Sequence, residues 1–408
     1  MPEGRSGVTA ARKPVAESAG APAVVLLSLA GFFSIALLRA CDPLVPEIAR
    51  SFGVSIAEAS APVLVYAMAY GLGQLVFGPI GSRIGTFRMA TIGCTLTAAF
   101  SLLGAFVVSL DQLVAARAVA GLAAGAIVPM SIAFIGETVP YDRRQATLAR
   151  LMTGAILGSI AGFALSGMLA QYVDWRYMFI LLSLGLAAVT AGLWRYLPRL
   201  AAPARPGGGM IGSPLRQYAR ILRQPWPRVV LVAVAIEGAV FGVIPFIAAL
   251  LAEHHGLGNL GIGAVLGCFG AGSLVFALTA RRIIGRLGEL GCARLGSAVV
   301  LVAFALVALS PATALVVIGA FAAGLGYMML HNTLQANATQ MVPDDRAGAV
   351  SLFAFCLFTG QAAGVALFAA ITPVVGYPSA ILGGGVTVLL VGVGFAAAKR
   401  RQTAAVQG

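Results

Sequence analysis

Charge is what this chain has least of: 10% of its 408 residues are Asp, Glu, Lys or Arg, while 59% are hydrophobic. A soluble domain of this size needs many more charged side chains to cover its surface. The five cysteines (Cys41, Cys94, Cys268, Cys292, Cys356) are scattered singly, with neither metal-ligand spacing nor an evident disulfide framework. His254-His255 has only Glu253 beside it, too little for a metal site. A Gly-Lys-Ser/Thr phosphate loop is missing, so ATP is not the expected energy source. No nucleophile and base stand out as a pair. Neither an enzyme nor a bound cofactor or metal is implied. Residues 1–21, rich in Ala, Pro and Arg, do not have the layout of a secretory signal peptide.

Apolar runs fill the chain instead. About twenty residues at 1.5 Å rise cross a hydrocarbon core of roughly 30 Å. The pattern predicts twelve such spans, near 23–48, 60–80, 88–109, 112–136, 146–170, 177–197, 228–251, 259–281, 291–309, 312–340, 348–371 and 378–398. The fold class is therefore all-α: a polytopic membrane protein whose lipid bilayer is its main solvent.

A Pro/Gly-rich basic segment divides the spans six and six. The expected organisation is a disordered cytoplasmic tail (1–21), a six-helix bundle (22–198), a cytoplasmic linker (199–227), a second six-helix bundle (228–398) and a tail (399–408). One short interfacial helix is expected near 214–223. Arg83-Ile84-Gly85 and Arg286-Leu287-Gly288 fall at equivalent connections of the two halves, as in an internal duplication.

Basic residues set the orientation. The connections on one side carry Arg83, Arg88, Arg143, Arg144, Arg150, the arginines of 195–228, and Arg281, Arg282 and Arg286. The other side has mainly Arg50 and Arg176. Positive charge gathers on the inner side of membrane proteins, which puts both termini in the cytoplasm. It also accounts for the net charge of +13 without invoking nucleic acid.

One residue carries most of the functional argument. Glu237 sits in VVLVAVAIEGAVFGVIPFIAALL with no compensating charge nearby in sequence. An ionised carboxylate there is costly, so an intramembrane acid is by default a functional group that exchanges a proton or pairs with a cation. The alternative is a packing residue that stays protonated. Pro245, eight residues on, is placed to kink the helix. Arg39 and Asp42, three apart, share a face and can pair if the first helix runs on to about residue 48. If instead the span ends near Cys41, Asp42-Pro43 is an outer turn. Arg117 can bias a nearby carboxylate or brace backbone carbonyls. His331, Asn332 and Gln335 form a polar stripe, as do Tyr66, Tyr70 and Gln74. Each stripe can contact substrate or hydrogen-bond between helices.

GPIGSRIGTFR (78–88) resembles the signature between the second and third helices of the major facilitator superfamily, matched at Gly78, Arg83, Gly85 and Arg88. Ser82 stands where that family has Asp, so the contacts the acid supports at the cytoplasmic gate must be made elsewhere. RAVAGLAAG (117–125) is similar to the family's Arg-plus-glycine motif. GAILGSIAGFALSG (154–167) resembles the glycine-rich motif of proton-driven exporters at Gly154, Gly158, Gly162 and Gly167, with Phe163 in place of its Pro. DWRYMF (174–179) looks like the family's outer element. HNTLQANATQMVPDDRAGAVSLFAF (331–355) and RACDPLVPEIARSFGVS (39–55) resemble the bacterial drug and sugar efflux branch.

The resemblance implies a monomeric secondary transporter in the bacterial inner membrane. It would export a small organic molecule against protons by alternating access. Glu237, Asp42, Arg117 and Arg39 are then candidates for proton coupling. His331, Asn332, Gln335, Tyr70, Gln74 and Tyr66 are candidates for substrate contact. Gly78, Arg83, Gly85, Arg88 and the four glycines 154, 158, 162 and 167 are candidates for gating. Uptake by symport or uniport, or a nontransporting membrane sensor on the same fold, are the competing readings.

Overall fold

A computed structural model describes residues 15–200 and 212–407. Of the 1–21 tail, residues 1–14 lie outside the described residues, as do 201–211 of the linker, Gly408 and the side chain of Ser82. The described chain is helical throughout its ordered elements. Apolar residues occur on all sides of most helices, as lipid requires, and each helix satisfies its own backbone.

The first half comprises α1 (Val15–Arg39), α2 (Ala61–Ile84), α3 (Thr86–Leu103), α4 (Leu110–Ala124, resuming as Ile127–Thr138), α5 (Tyr141–Tyr172) and α6 (Arg176–Leu200). The second comprises α7 (Pro225–Phe241, resuming as Ile244–His254), then one long helix Asn259–Leu309, then α10 (Thr313–Ala338), α11 (Arg346–Val375) and α12 (Tyr377–Gln407). At 51 residues, Asn259–Leu309 is more than twice the length that crosses a bilayer. Gly288 divides it, with φ 67 and ψ 175, into α8 (259–287) and α9 (289–309). Twelve spans result. Gly85, at the matching connection of the first half, also has positive φ, at 99. Only glycine adopts that backbone without strain, which explains why both repeats end their Arg-apolar pair on it.

The first span does not continue as expected. α1 stops at Arg39, a 3-10 turn occupies Asp42–Leu44, and a separate helix runs Val45–Phe52. Pro43 and Pro46 lack the amide hydrogens that a continuous helix would need there. α7 breaks likewise at Gly242–Val243, just before Pro245. The linker contributes a helix at Gly212–Arg223.

Small residues bring the helices together. A Cβ on Gly162 would lie 2.5 Å from the Ala36 carbonyl oxygen of α1, and one on Gly154 would lie 2.7 Å from that of Ser28. Gly158 faces Phe32 in the same way. The second half repeats the contact 202 residues on, where Gly360 and Gly364 of α11 face the Ala235 and Ala239 carbonyls of α7. Three of the four glycines of the α5 motif thus close-pack α5 on α1 within one half.

The halves meet along two seams, α2 against α11 and α5 against α8. At the end opposite the arginine-rich loops, residues 42–52 also pack against Ile244–His254. Gly167 and Gly263 lie back to back there, the one glycine of the α5 motif that faces the other half.

Candidate functional site

Glu237 occupies the first limb of α7 and is fully buried. Its Oε2 lies 3.2 Å from His331 Nδ1 on α10, and Oε1 has no partner among the described residues. The compensation absent from the local sequence comes from 94 residues away. Two proton arrangements fit this geometry. A His331 carrying hydrogen on Nδ1 donates to the carboxylate, or a bare Nδ1 accepts from the carboxylic acid. The pair is therefore a place where one proton can be held and passed on.

An aromatic sleeve surrounds it. Tyr327, one turn before His331, lies parallel to the imidazole with centroids 5.9 Å apart. Phe353 of α11 packs tilted at 5.6 Å. Tyr327 also meets Phe241 at 4.9 Å and Phe269 at 5.9 Å. Phe241, one turn beyond Glu237, carries the site across to the first half: the Arg39 guanidinium lies 4.3 Å over its ring. A small apolar cavity of about 10 Å³, room for about one water, lies beside these rings, lined by Phe241, Phe269, Phe304, Tyr327, Val300 and Val388. That is below the size of a drug-sized ligand pocket.

Asp42 is fully buried, and neither carboxylate oxygen has a hydrogen-bond partner among the described residues. The expected Arg39–Asp42 pair is therefore not made, because the turn at Asp42–Leu44 takes Asp42 off the helical face. Nor is Asp42 an exposed outer turn. Arg39 Nη1 is buried and unpartnered as well. Arg117 is held differently: Nη1 donates to the Leu37 carbonyl at 2.8 Å, Nη2 to that of Leu38 at 3.5 Å, and the guanidinium lies 3.7 Å over the Tyr66 ring. It braces the carbonyls left free where α1 ends.

Tyr66 and Tyr70 are buried and stacked, 6.5 Å between centroids, and Tyr70 reaches Phe358 of α11 at 4.5 Å. Tyr66 is thus no interfacial anchor. Gln74 is buried on the same helix. The α10 stripe divides: His331 turns to Glu237, Asn332 is half-buried, and Gln335 is exposed. Neither the Asn332 nor the Gln335 side chain makes a hydrogen bond among the described residues. In the α2–α3 connection Arg83 is exposed, Arg88 is half-buried, and Gly78 faces open space.

Three participants escaped sequence reasoning. Tyr327 sits at fourth-residue spacing from His331, a signal that could have found it. Asn259 and Glu47 could not be paired from sequence, since 212 residues separate them. Asn259 Nδ2 donates to Glu47 Oε2 at 2.9 Å, tying the halves together at the end away from the arginine-rich loops.

The chain matches the family model described as Major Facilitator Superfamily over residues 27–348 and 231–407. A chloramphenicol resistance protein of Streptomyces lividans is 29% identical over 248 residues, so the match spans 60% of this chain and 62% of that relative. Among solved structures, a peptide transporter POT in complex with sulfate superposes with TM-score 0.74 at 15% identity, covering 93% of this chain and 94% of that one. The human organic anion transporter MFSD10 gives TM-score 0.70 at 15% identity, covering 91% and 98%. At such identities the two structures share the fold with this chain. With a family model matched along its length and membrane-length helices enclosing a Glu–His pair inside the second half, the chain is an integral membrane protein of the major facilitator superfamily.

Proposed function

We propose that the protein is a secondary transporter exporting a small organic molecule in exchange for protons. The observation that carries this reading is the Glu237–His331 pair at 3.2 Å, buried where an isolated charge is costly. The pair can bind a proton, and the Tyr327–Phe241–Arg39 contacts link it to the other half. A change in protonation at Glu237 is thereby transmitted to the interface that must rearrange during alternating access. The outward direction rests on the name of the Streptomyces lividans relative, a resistance protein. Asp42, with two unpartnered buried oxygens, is the second candidate for proton exchange, and Arg117 fixes the local field. Tyr70 and Gln74 line the first half's side of the route, and Asn332 and Gln335 its arginine-rich end. On this reading both termini lie in the cytoplasm of a bacterium and the protein works as a monomer in the inner membrane. The two six-helix bundles, 22–198 and 228–398, are then the rocking units.

Inside-out vesicles with an acidic interior test this. Drugs, sugars and organic acids are screened for collapse of the pH gradient. The expected result is collapse by at least one compound with wild type and not with Glu237→Gln. Equal collapse with both proteins would remove Glu237 from the coupling route. Accumulation of a compound driven by the gradient in the opposite sense would replace export with uptake, the competing reading that Ser82 in the gate signature and the departures in the α5 motif leave open.

A further inference from the structure

We propose that the linker helix and the end of α12 together form a binding surface for anionic phospholipid headgroups. Helix Gly212–Arg223 ends two residues before the membrane-spanning run that begins at Pro225. Arg216, Arg220 and Arg223 recur at helical spacing along its exposed stripe. Ile221 is 1% exposed and Tyr218 is half-buried, so the opposite face docks on the second half. Gln217 fastens it, donating to Asp345 Oδ2 at 2.5 Å. Asp345 is itself fixed, since its Oδ1 accepts from the Gly348 amide at 3.0 Å and caps α11.

A second set of cations meets the first at one point. Trp226, three residues past Arg223, packs against Phe395 with centroids 5.6 Å apart, and Lys399 Nζ lies 4.9 Å over its ring. That contact fixes the end of α12 against the start of α7, so Arg400 and Arg401, next in sequence after Lys399, and Arg223 and Arg228, within three residues of Trp226, flank the same anchor. All six arginines (216, 220, 223, 228, 400 and 401) are exposed. None makes an ion pair or side-chain hydrogen bond among the described residues, so their charge is unneutralised. Leu222, 44% exposed, and the half-buried Trp226 give the patch an apolar flank, as a surface resting on headgroups requires. Clustered arginine next to a span, with acid absent from the stripe, has a phosphate-bearing leaflet as its complement. Guanidinium groups bind phosphate in paired, directional fashion, which selects the anionic headgroup over bulk salt.

The test uses the full chain in a neutral detergent. Phosphatidylglycerol and phosphatidylcholine are titrated in turn, and thermal unfolding and native mass spectra are recorded. Wild type is expected to retain phosphatidylglycerol molecules and unfold at higher temperature with that lipid than with phosphatidylcholine. The combined R216Q/R220Q/R223Q/R400Q/R401Q variant is expected to bind phosphatidylglycerol about tenfold or more weakly. Its unfolding temperature without lipid reports whether the variant is folded, and R143Q/R144Q, elsewhere on the same basic end, serves as the charge control. Equal response to the two lipids, or equal loss in the control variant, overturns the proposal. If inorganic phosphate produces the same stabilisation as the lipid, a free anion rather than a leaflet is the ligand and the proposal fails.

Discussion

Asn259 and Glu47 are hydrogen-bonded across the two halves of the molecule, Nδ2 to Oε2 at 2.9 Å, with Arg50 Nη2 2.6 Å from the same carboxylate oxygen. Asn259 also donates to the Ala170 carbonyl at 3.4 Å. It opens α8, and its first turns lie against α5 at Gly167 and Gly263. One side chain thus joins α8 to both the α1 extension and α5.

Asn259→Ala removes these bonds and leaves packing intact. A bond to a charged acceptor contributes about 1.5–3 kcal/mol, so the balance should shift roughly tenfold or more toward a conformer open at that end. Spin labels on Val108 and His254, measured by double electron–electron resonance, should show a longer-distance population. An unchanged distribution would mean that the glycine seam alone holds the closure.

His331→Phe keeps an aromatic ring against Tyr327 but leaves neither Glu237 oxygen with a partner. Orphaning a buried polar group costs about 1–3 kcal/mol, more for a charged one. The unfolding temperature should fall, and a second change, Glu237→Leu, should restore much of it. Failure of the double variant to recover would mean that the pair is not the source of the loss.

The candidate gating glycines, Gly162 and Gly167 of α5 and Gly78 of α2, separate by position. Gly162→Ala sets a methyl against the Ala36 carbonyl, and overpacking of this kind costs about 1–3 kcal/mol. Gly78→Ala meets nothing within 4 Å and should leave stability unchanged. Gly167→Ala strikes α8 instead, so it should act on the closure between halves more than on unfolding. Detergent melting curves and the spin-label distances above distinguish the two effects.

Tyr218 gives a pH signature outside the membrane. Burial, and then the neighbouring Asp345 carboxylate, push its hydroxyl above the ordinary value of 10.0. The folded state therefore holds this proton more firmly than the unfolded chain does. Its contribution is complete below pH 10.0 and is lost as pH rises toward the folded value. Amide exchange across Gly212–Arg223 should accelerate at alkaline pH in wild type and less so in Tyr218→Phe.

Much of this was legible in sequence for a physical reason. A bilayer fixes span length and forbids unsatisfied backbone, so apolar runs report helices almost directly. The Gly85 and Gly288 turns were legible because positive φ restricts residue choice. Pro43 and Pro46 mark the interruption of α1, but nothing in the spacing reports the burial of Asp42 inside that turn, since sequence spacing carries no depth. Glu237 and His331 each stand out in sequence, the one as a proton-coupling candidate and the other as a substrate contact. Their union needed the third dimension, because α7 and α10 are brought together only by the closing of the second bundle. In sequence the α5 glycines are candidates for gating, yet three of them pack α5 on α1 within one half. The matching Gly360 and Gly364 of α11, facing α7 in the same way, weigh toward packing.

The Arg39 guanidinium over the Phe241 ring has a consequence of its own. A cation above an aromatic face is attracted across a broad range of lateral positions, whereas a hydrogen bond fails within a fraction of an ångström. The middle of the molecule is therefore joined by a contact that tolerates sliding, and its far end by one that holds or lets go. If the halves rock as proposed above, such a pairing lets them swing through intermediate angles at low cost while leaving them one well-defined position in which to rest.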